Sequence, residues 1–327
     1  MDKYHTLEMF LDNKNGDVWN ISNIASDIEW QTSRIGKAGS LSFTIVTGGL
    51  YQDKKFTINN GDIVRVRKGG TNVFYGYVFE IGSGMDEGFK IKAYDQIRYL
   101  MGNDTYVFTG KTATEIVKKI ADDTGLKTGN LVDTKYKIPS MIEDGKKLLD
   151  TVCKALDMTL INGYGNFFLY DDFGLLALMN IKKTLPDFYI GDKSLLFDYD
   201  FTQSIDSETY NRVKIVQDNK KKANRDVYVA QDSVNIAKWG RLQLYQSVDE
   251  KLNAAQIKQM LDTLIQLKNR QSEKLKIDAI GDIRVRAGSY VHIAIKRLGI
   301  NQPMLVDECS HKFDGADHTM SLELKVI

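Results

Sequence analysis

Residues 253–295 read NAAQIKQMLDTLIQLKNRQSEKLKIDAIGDIRVRAGSYVHIAI, and within them the apolar period changes from that of a helix to that of a strand. Asn253, with Gln256 three residues on, makes a capping-box start, because the Asn side chain accepts from backbone N–H groups that a first helical turn leaves unpaired. The spacing of Ile257, Met260, Leu261, Leu264 and Leu267 predicts an amphipathic helix at about 253–271, beginning near Ala254. Its apolar face must pack on something. From Leu275 the period is two, as Leu275, Ile277 and Ala279 alternate with Lys274, Lys276 and Asp278, and Gly281 and Gly288 mark bends. A helix that delivers a strand to a β-domain accounts for the whole stretch.

Strand texture also fills the other end of the chain. From Thr6 to about Tyr94, short alternating segments are separated by turns such as Asn13–Gly16 and GKAGS at 36–40, which precedes LSFTIV. RKGGTN at 67–72 joins IVRVR to VFYGYVFEI as a hairpin. This predicts an antiparallel barrel or sandwich. Residues 99–190 differ. Thr112-Ala-Thr-Glu115 is a capping box, Ile116, Val117 and Ile120 give an apolar face, and Gly125 sits where a helix ends in the left-handed conformation. A second helix is expected from about Lys146 to Leu156, then strands MTLI, NFFLY and, after the turn Asp171–Gly174, LLALMNI. From Gly191, strands return in LLFDYDF, TYNRVKIV and RDVYVAQ, with the polar tip NKKKANR at 219–225. The expected fold is mainly β with an α+β insert: a first β-barrel domain at 1–98, a small α+β module at 99–190 and a second β-barrel domain at 191–327.

Bulk properties exclude more than they name. The 327 residues give room for two or three domains. With 44 basic and 43 acidic side chains the formal charge is +1, so the overall balance calls for no polyanion partner. Cys153 and Cys309 lie far apart, which fits buried thiols in a reducing compartment rather than a disulfide framework. No signal peptide or transmembrane run is expected, and synthesis in the cytoplasm follows.

The two ends of the chain echo each other. Gly61-Asp-Ile-Val-Arg-Val resembles Gly288-Ser-Tyr-Val-His-Ile, and each leads to a second strand, GYVFEI or MLVDEC. Phe89–Tyr94 and Met320–Val326 would close the two units, each with one apolar row inside. A competing register pairs Gly61-Asp-Ile with Gly281-Asp-Ile283. A duplicated β-domain has a mechanical use, since three chains in a ring would present six similar units to a sixfold tube.

Several segments carry a resemblance. KAYDQIRYL (92–100), DTYVF (104–108), KTATEIVKKIADD (111–123), YKIPS (136–140), LYDDFG (169–174), IDSETYN (205–211), AQDSVNIAKWGRLQ (230–243) and GDIRVRAGS (281–289) resemble the XkdQ/YqbQ family of PBSX-type prophage tail proteins. That family is similar to baseplate hub proteins of contractile phage tails and phage-tail-like bacteriocins. The resemblance implies two tube-forming β-barrels and a homotrimer. Its implied partners are the tail tube, central spike, tape-measure and baseplate wedge proteins, and its implied place is the baseplate of a virion or tail-like particle. No specific nucleic acid and no membrane insertion are implied.

No catalytic, cofactor-binding or metal-binding residue is expected. Among the four histidines, His5, His292, His311 and His318, the set Cys309, His311 and His318 invites a metal reading. Its spacing lacks the paired ligand pattern of zinc sites, so packing is preferred. Asp171-Asp172 and Asp307-Glu308 are adjacent carboxylates, not a pair held across a cleft, and a solvated turn accounts for the first. Asp172-Phe-Gly174 lacks the other kinase elements, and Gly110-Lys111-Thr112 lacks the first glycine of a phosphate loop. Lys220-Lys221-Lys222 with Arg225 reads as a solvated tip, and Trp19, Trp30 and Trp239 as core or inter-subunit packing. The alternative function is a tail-associated peptidoglycan-binding or cell-wall-degrading module.

Overall fold

A computed structural model of the chain describes residues 7–46, 53, 55–84, 88–181, 184–206, 208–219, 224–250 and 252–325. Its first strands are β1 (Leu7–Asp12), β2 (Val18–Asn20), β3 (Ala25–Ser33), β4 (Ser40–Val46), β5 (Ile63–Lys68), β6 (Thr71–Ser83) and β7 (Gly88–Tyr94). They alternate as period two requires. Met9, Leu11, Leu41, Phe43, Ile45, Val64, Val66 and Ile91 are buried in one core while their neighbours face out.

The middle of the chain has its own core. β8 (Asn103–Phe108), α1 (Ala113–Thr124), β9 (Thr128–Leu131), β10 (Met141–Lys147), α2 (Leu148–Ile161), β11 (Phe167–Asp171) and β12 (Leu176–Asn180) surround Ile116, Ile120, Val152, Leu169 and Leu176. Thr112 caps α1 in a two-way capping box with Glu115, and Gly125 ends it at φ +68°. Two expectations fail here. Lys146 and Lys147 end β10, so α2 starts at Leu148, and Met158–Ile161 form its last turns in place of a strand. The helix continues because Val152, Ala155, Leu156 and Thr159 keep one face buried, a helical spacing that outweighs the β-branched residues.

The last segment runs β13 (Thr184–Gly191), β14 (Leu196–Ser204), β15 (Arg212–Asn219), β16 (Asn224–Gln231), α3 (Ser233–Trp239), β17 (Gln243–Val248), α4 (Ala254–Lys268), β18 (Ser272–Ile280), β19 (Tyr290–Ile295), β20 (Ile300–Asp314) and β21 (Asp317–Lys325). Asn253 and Gln256 form the expected box, and α4 buries Ile257, Met260, Leu261 and Leu264. That face packs on a separate three-stranded sheet, β16-β15-β17. β18 then enters the main sheet with Leu275, Ile277 and Ala279 inward.

Antiparallel pairing builds one long sheet in the order β14-β18-β21-β20-β3-β4-β7-β6-β5-β1-β2, with β19 and β13 branching from β20. Two copies of one strand order lie within it, β3-β4-β7-β6-β5-β1 and β14-β18-β21-β20-β19-β13. They differ at the end, where β1 meets β5 antiparallel but β13 meets β19 parallel.

Their register is that of Gly61 with Gly288. Gly61 and Gly288 have φ +89° and +87°, and their N–H groups donate to Val78 O and Val306 O at 2.7 and 2.8 Å. Val78 N and Val306 N donate back to Asp62 O and Ser289 O, both at 2.9 Å. Each second strand then bulges at the same place, between Val78 and Glu80 and between Val306 and Glu308. The competing register is overturned: Gly281 N–H donates to His318 O in a different turn.

Candidate assembly site

The two copies meet at β20. Its first half pairs with β19, and Glu308–Phe313 pair with β3 on the same edge, Glu308 opposite Ser33 and Phe313 opposite Ile28. This seam is sealed by large side chains. Trp30 is 4% exposed and stacks on His311 at 5.0 Å, and His311 is fully buried.

Hydrogen bonds fix the protons of the seam histidines. His311 Nε2 lies 2.8 Å from Val285 O, which can only accept, so Nε2 carries the proton and Nδ1 must accept. His318 Nε2, 2.9 Å away, is that donor, which leaves His318 Nδ1 to accept from Lys68 Nζ at 2.8 Å. Both rings are neutral and neither has a free acceptor. Burial pushes His311 down to about 4, and burial with the nearby His311 and Lys68 pushes His318 down to about 3.

Cys309, His311 and His318 do come together, but not around a common point. Cys309 Sγ is 3.1 Å from His311 Nε2, whereas His318 sits at the opposite ring nitrogen. Among the described residues no group of three or more His, Cys, Asp or Glu side chains could hold a metal ion. Burial raises the Cys309 thiol well above its usual range.

At the bulge, Arg34 Nε donates to Asp307 Oδ1 at 2.9 Å, Arg34 N donates to Asp307 O at 2.9 Å, and Lys325 Nζ lies 2.7 Å from Asp307 Oδ2. Burial works to raise the Asp307 carboxyl, and its two cationic partners outweigh burial and hold it low. Glu308 turns the other way, to Lys37 at 2.6 Å. The adjacent carboxylates therefore serve three ion pairs on two sides of the strand.

Asp171 is not in a solvated turn. The β11–β12 hairpin tucks it against the 3-10 turn Gln96–Met101 and the Gly281–Ser289 loop, leaving Asp171 buried and Asp172 exposed. Asp171 Oδ1 accepts from Gly174 N at 2.7 Å, while Oδ2 finds no hydrogen-bond partner. Burial pushes its carboxyl up to about 6. Buried Asp95 accepts from Gly39 N and Ile97 N, and burial and the Asp171 charge raise it. Arg286 joins them from the second β unit, donating to Asp171 O at 3.0 Å with its guanidinium 4.6 Å from the Tyr170 ring. One ionisable side chain from each of three parts of the chain thus meets at one junction.

The remaining candidates are structural. Lys111 pairs with Glu115 beside the capping box, Phe173 lies in the hairpin turn edge-on to Tyr75, and His292 Nε2 contacts Asn301. Trp19 packs edge-on against Phe56, and Arg225 pairs with Asp218. His5 and Lys220–Lys222 lie outside the described residues. Sequence reasoning missed Lys68, Asp95 and Arg286; no local spacing marks them, because each finds its partners across distant segments. No helix among the described residues is long and apolar enough to cross a membrane.

Comparisons with known proteins agree with this architecture. The chain is 30% identical over 274 residues, 82% of each chain, to "Uncharacterized protein YqbQ" of Bacillus subtilis (strain 168). It is 29% identical over 304 residues, 92% of each chain, to the phage-like element PBSX protein XkdQ of the same strain. The 43 kDa tail protein of prophage MuSo2 from Shewanella oneidensis superposes with a TM-score of 0.71 at 17% identity, over 97% of this chain and 98% of that one, so the fold is that of a prophage tail protein. Residues 28–325 match the sequence model of the YQBQ-like family, and the chain belongs to that family.

Proposed function

We propose that this chain is a structural hub in the baseplate of a phage-like contractile tail, in an infectious virion or a bacteriocin. Three copies form a ring that joins a sixfold tail tube to a threefold central spike. The duplication carries this reading: one chain with two copies of one strand order supplies two similar units, and three chains supply six. The shared fold with a prophage tail protein, and the kinship with XkdQ, support a place in a tail.

On this reading the β units at 1–98 and 191–327 line the ring, β13 goes with the second of them through its pairing with β19, and the rest of the 99–190 module faces outward; the main cores of these segments support the division. Tube, spike, tape-measure and wedge proteins are the partners, with no nucleic-acid specificity and no membrane insertion. The work is adaptation of symmetry and transmission of force, so no residue is catalytic. Light scattering of the purified chain across a concentration series is expected to give a mass near three times 37.1 kDa. A monomer at every concentration, alone and mixed with its tube protein, overturns the ring. Zymography on cell walls is expected to leave no cleared band; a band would instead favour a wall-degrading module.

A further inference from the structure

The duplicated strand order leaves equivalent edges in different situations. β3 has its outer edge taken by Glu308–Phe313 of β20. Its counterpart β14 pairs with β18 along one edge and, among the described residues, with no strand along the other. The counterpart of Glu308–Phe313 begins at Glu80, just past the shared bulge. Glu80–Ser83 pair with β7, but β5 stops opposite Tyr77, so among the described residues the second edge of β6 carries no strand there. An open strand edge presents unpaired N–H and C=O groups and is a template for another strand.

We propose that this free edge of β6 pairs antiparallel with the free edge of β14 in a second copy of the chain, in the register of the intrachain seam. The register follows from the pairings. Trp30 faces Leu41 and Phe201 faces Leu275; Leu41 and Leu275 in turn face Ala93 and Leu324, which face Val78 and Val306. Phe201 is therefore the counterpart of Trp30, and Glu80 of Glu308. The seam pairs Glu308 with Ser33, Ser310 with Gln31 and His311 with Trp30. The joint between chains pairs Glu80 with Ser204, Gly82 with Thr202 and Ser83 with Phe201.

Exposure agrees with an unfinished contact. Cys309, on the seam, is 2% exposed, whereas its counterpart Ile81 is only half-buried. Phe201 is likewise half-buried where Trp30 is sealed, and Phe197, farther along β14, is 61% exposed. The chemistry at the bulge also changes consistently. The counterparts of Asp307 and Arg34 are Phe79 and Ile205, so an apolar pair stands where the intrachain seam has an ion pair. The two edges are different surfaces, so the contact is head-to-tail and runs on until the ring closes.

The joint rests on the ring reading for its copy number, and a cysteine pair separates the two claims. Residues opposite each other on antiparallel strands lie close enough for a disulfide, while a slip by one residue puts the thiols on opposite faces. Under mild oxidation, E80C/S204C is expected to give covalent dimers and trimers on a non-reducing gel. E80C/Q203C, the single variants and the native chain with Cys153 and Cys309 are expected to stay monomeric on that gel. Light scattering before oxidation reads the ring itself. A trimeric mass with no in-register link, or with a link in E80C/Q203C instead, overturns the joint and leaves the ring standing. A monomeric mass with no link at the highest concentration, alone and mixed with the tube protein, overturns both.

Discussion

Acid should loosen the seam between the two β units, and His311 is the group through which it does so. Its folded value is about 4, against 6.5 for the ordinary imidazole. Below about pH 6.5 the unfolded chain takes up a proton that folded His311 excludes. Stability is therefore fully present above that value and is lost as pH falls toward 4. The displacement corresponds to about 3 kcal/mol in full, of which about 2 kcal/mol is expressed between pH 8 and pH 5. Asp171 works against it. Its buried carboxyl, pushed up to about 6 from 3.8, takes a proton more readily than the unfolded chain does, so stability rises as pH falls through 6. Over the same interval this contributes about 1 kcal/mol in the opposite direction. His318, held down to about 3, adds to the loss of His311, so the three effects do not cancel, and the native profile alone does not assign the loss to either histidine.

His311→Phe isolates the seam. Phenylalanine keeps a ring against Trp30 but leaves Val285 O and His318 Nε2 without their partner, which costs about 1–3 kcal/mol at pH 8. The native chain should lose about 2 kcal/mol more than H311F on going from pH 8 to pH 5, read from urea denaturation midpoints at constant slope. Asp171→Asn should do the reverse, removing the acid gain. Equal pH dependence in the native chain and H311F, within about 0.5 kcal/mol, would refute the assignment.

The duplication gives a paired test in Gly61 and Gly288. Both have left-handed φ, but a Cβ at Gly61 meets open space and one at Gly288 overlaps the Phe168 ring. G61A should cost about 1–2 kcal/mol from backbone strain alone, and G288A clearly more, by thermal or urea unfolding; equal costs would contradict the packing. Asp307→Ala leaves Arg34 and Lys325 without their shared carboxylate, and because Arg34 is largely buried the expected loss is about 1–3 kcal/mol; a loss below about 0.5 kcal/mol would make the pair a surface contact. Burial raises both thiols, Cys153 to about 11, so a thiol reagent at pH 8 should label neither cysteine in the native chain and both in denaturant; fast native labelling of Cys309 would overturn its burial.

What could be read in the sequence is what is local or periodic. The helix at 254–268, its capping box, the αL glycine at 125 and the inward rows of β7 and β21 follow from spacings of two, three and four residues. The duplication was legible because Gly61 and Gly288 both meet a conformational demand that glycine satisfies, at nearly equal distances from Val78 and Val306. The seam was not. His311 and His318 were visible only as an imperfect ligand pattern, and the burial of Asp171 depends on Asp95 and Arg286, which lie far from it in sequence. Two copies of one strand order can also be laid end to end in several ways, and only the observed pairing of β20 with β3 selects one.

That pairing also separates two kinds of joint by their chemistry. The counterpart of His311 at the free edge is Ser83, which does not titrate, and the counterparts of Arg34 and Asp307 are Ile205 and Phe79. A joint between chains in the same register therefore lacks both the proton-excluding histidines and the ion pair of the seam. Acid in the range of pH 6.5 to 4 would strain the contact within each protomer through His311, while the pairing of β6 with β14 has no buried histidine of its own to protonate. Salt would divide them in the same direction, screening Arg34 and Asp307 far more than Ile205 and Phe79. The weak point of such a ring under acid or salt is thus inside the subunit, and hydrogen exchange should speed up along β3 before it does along β14.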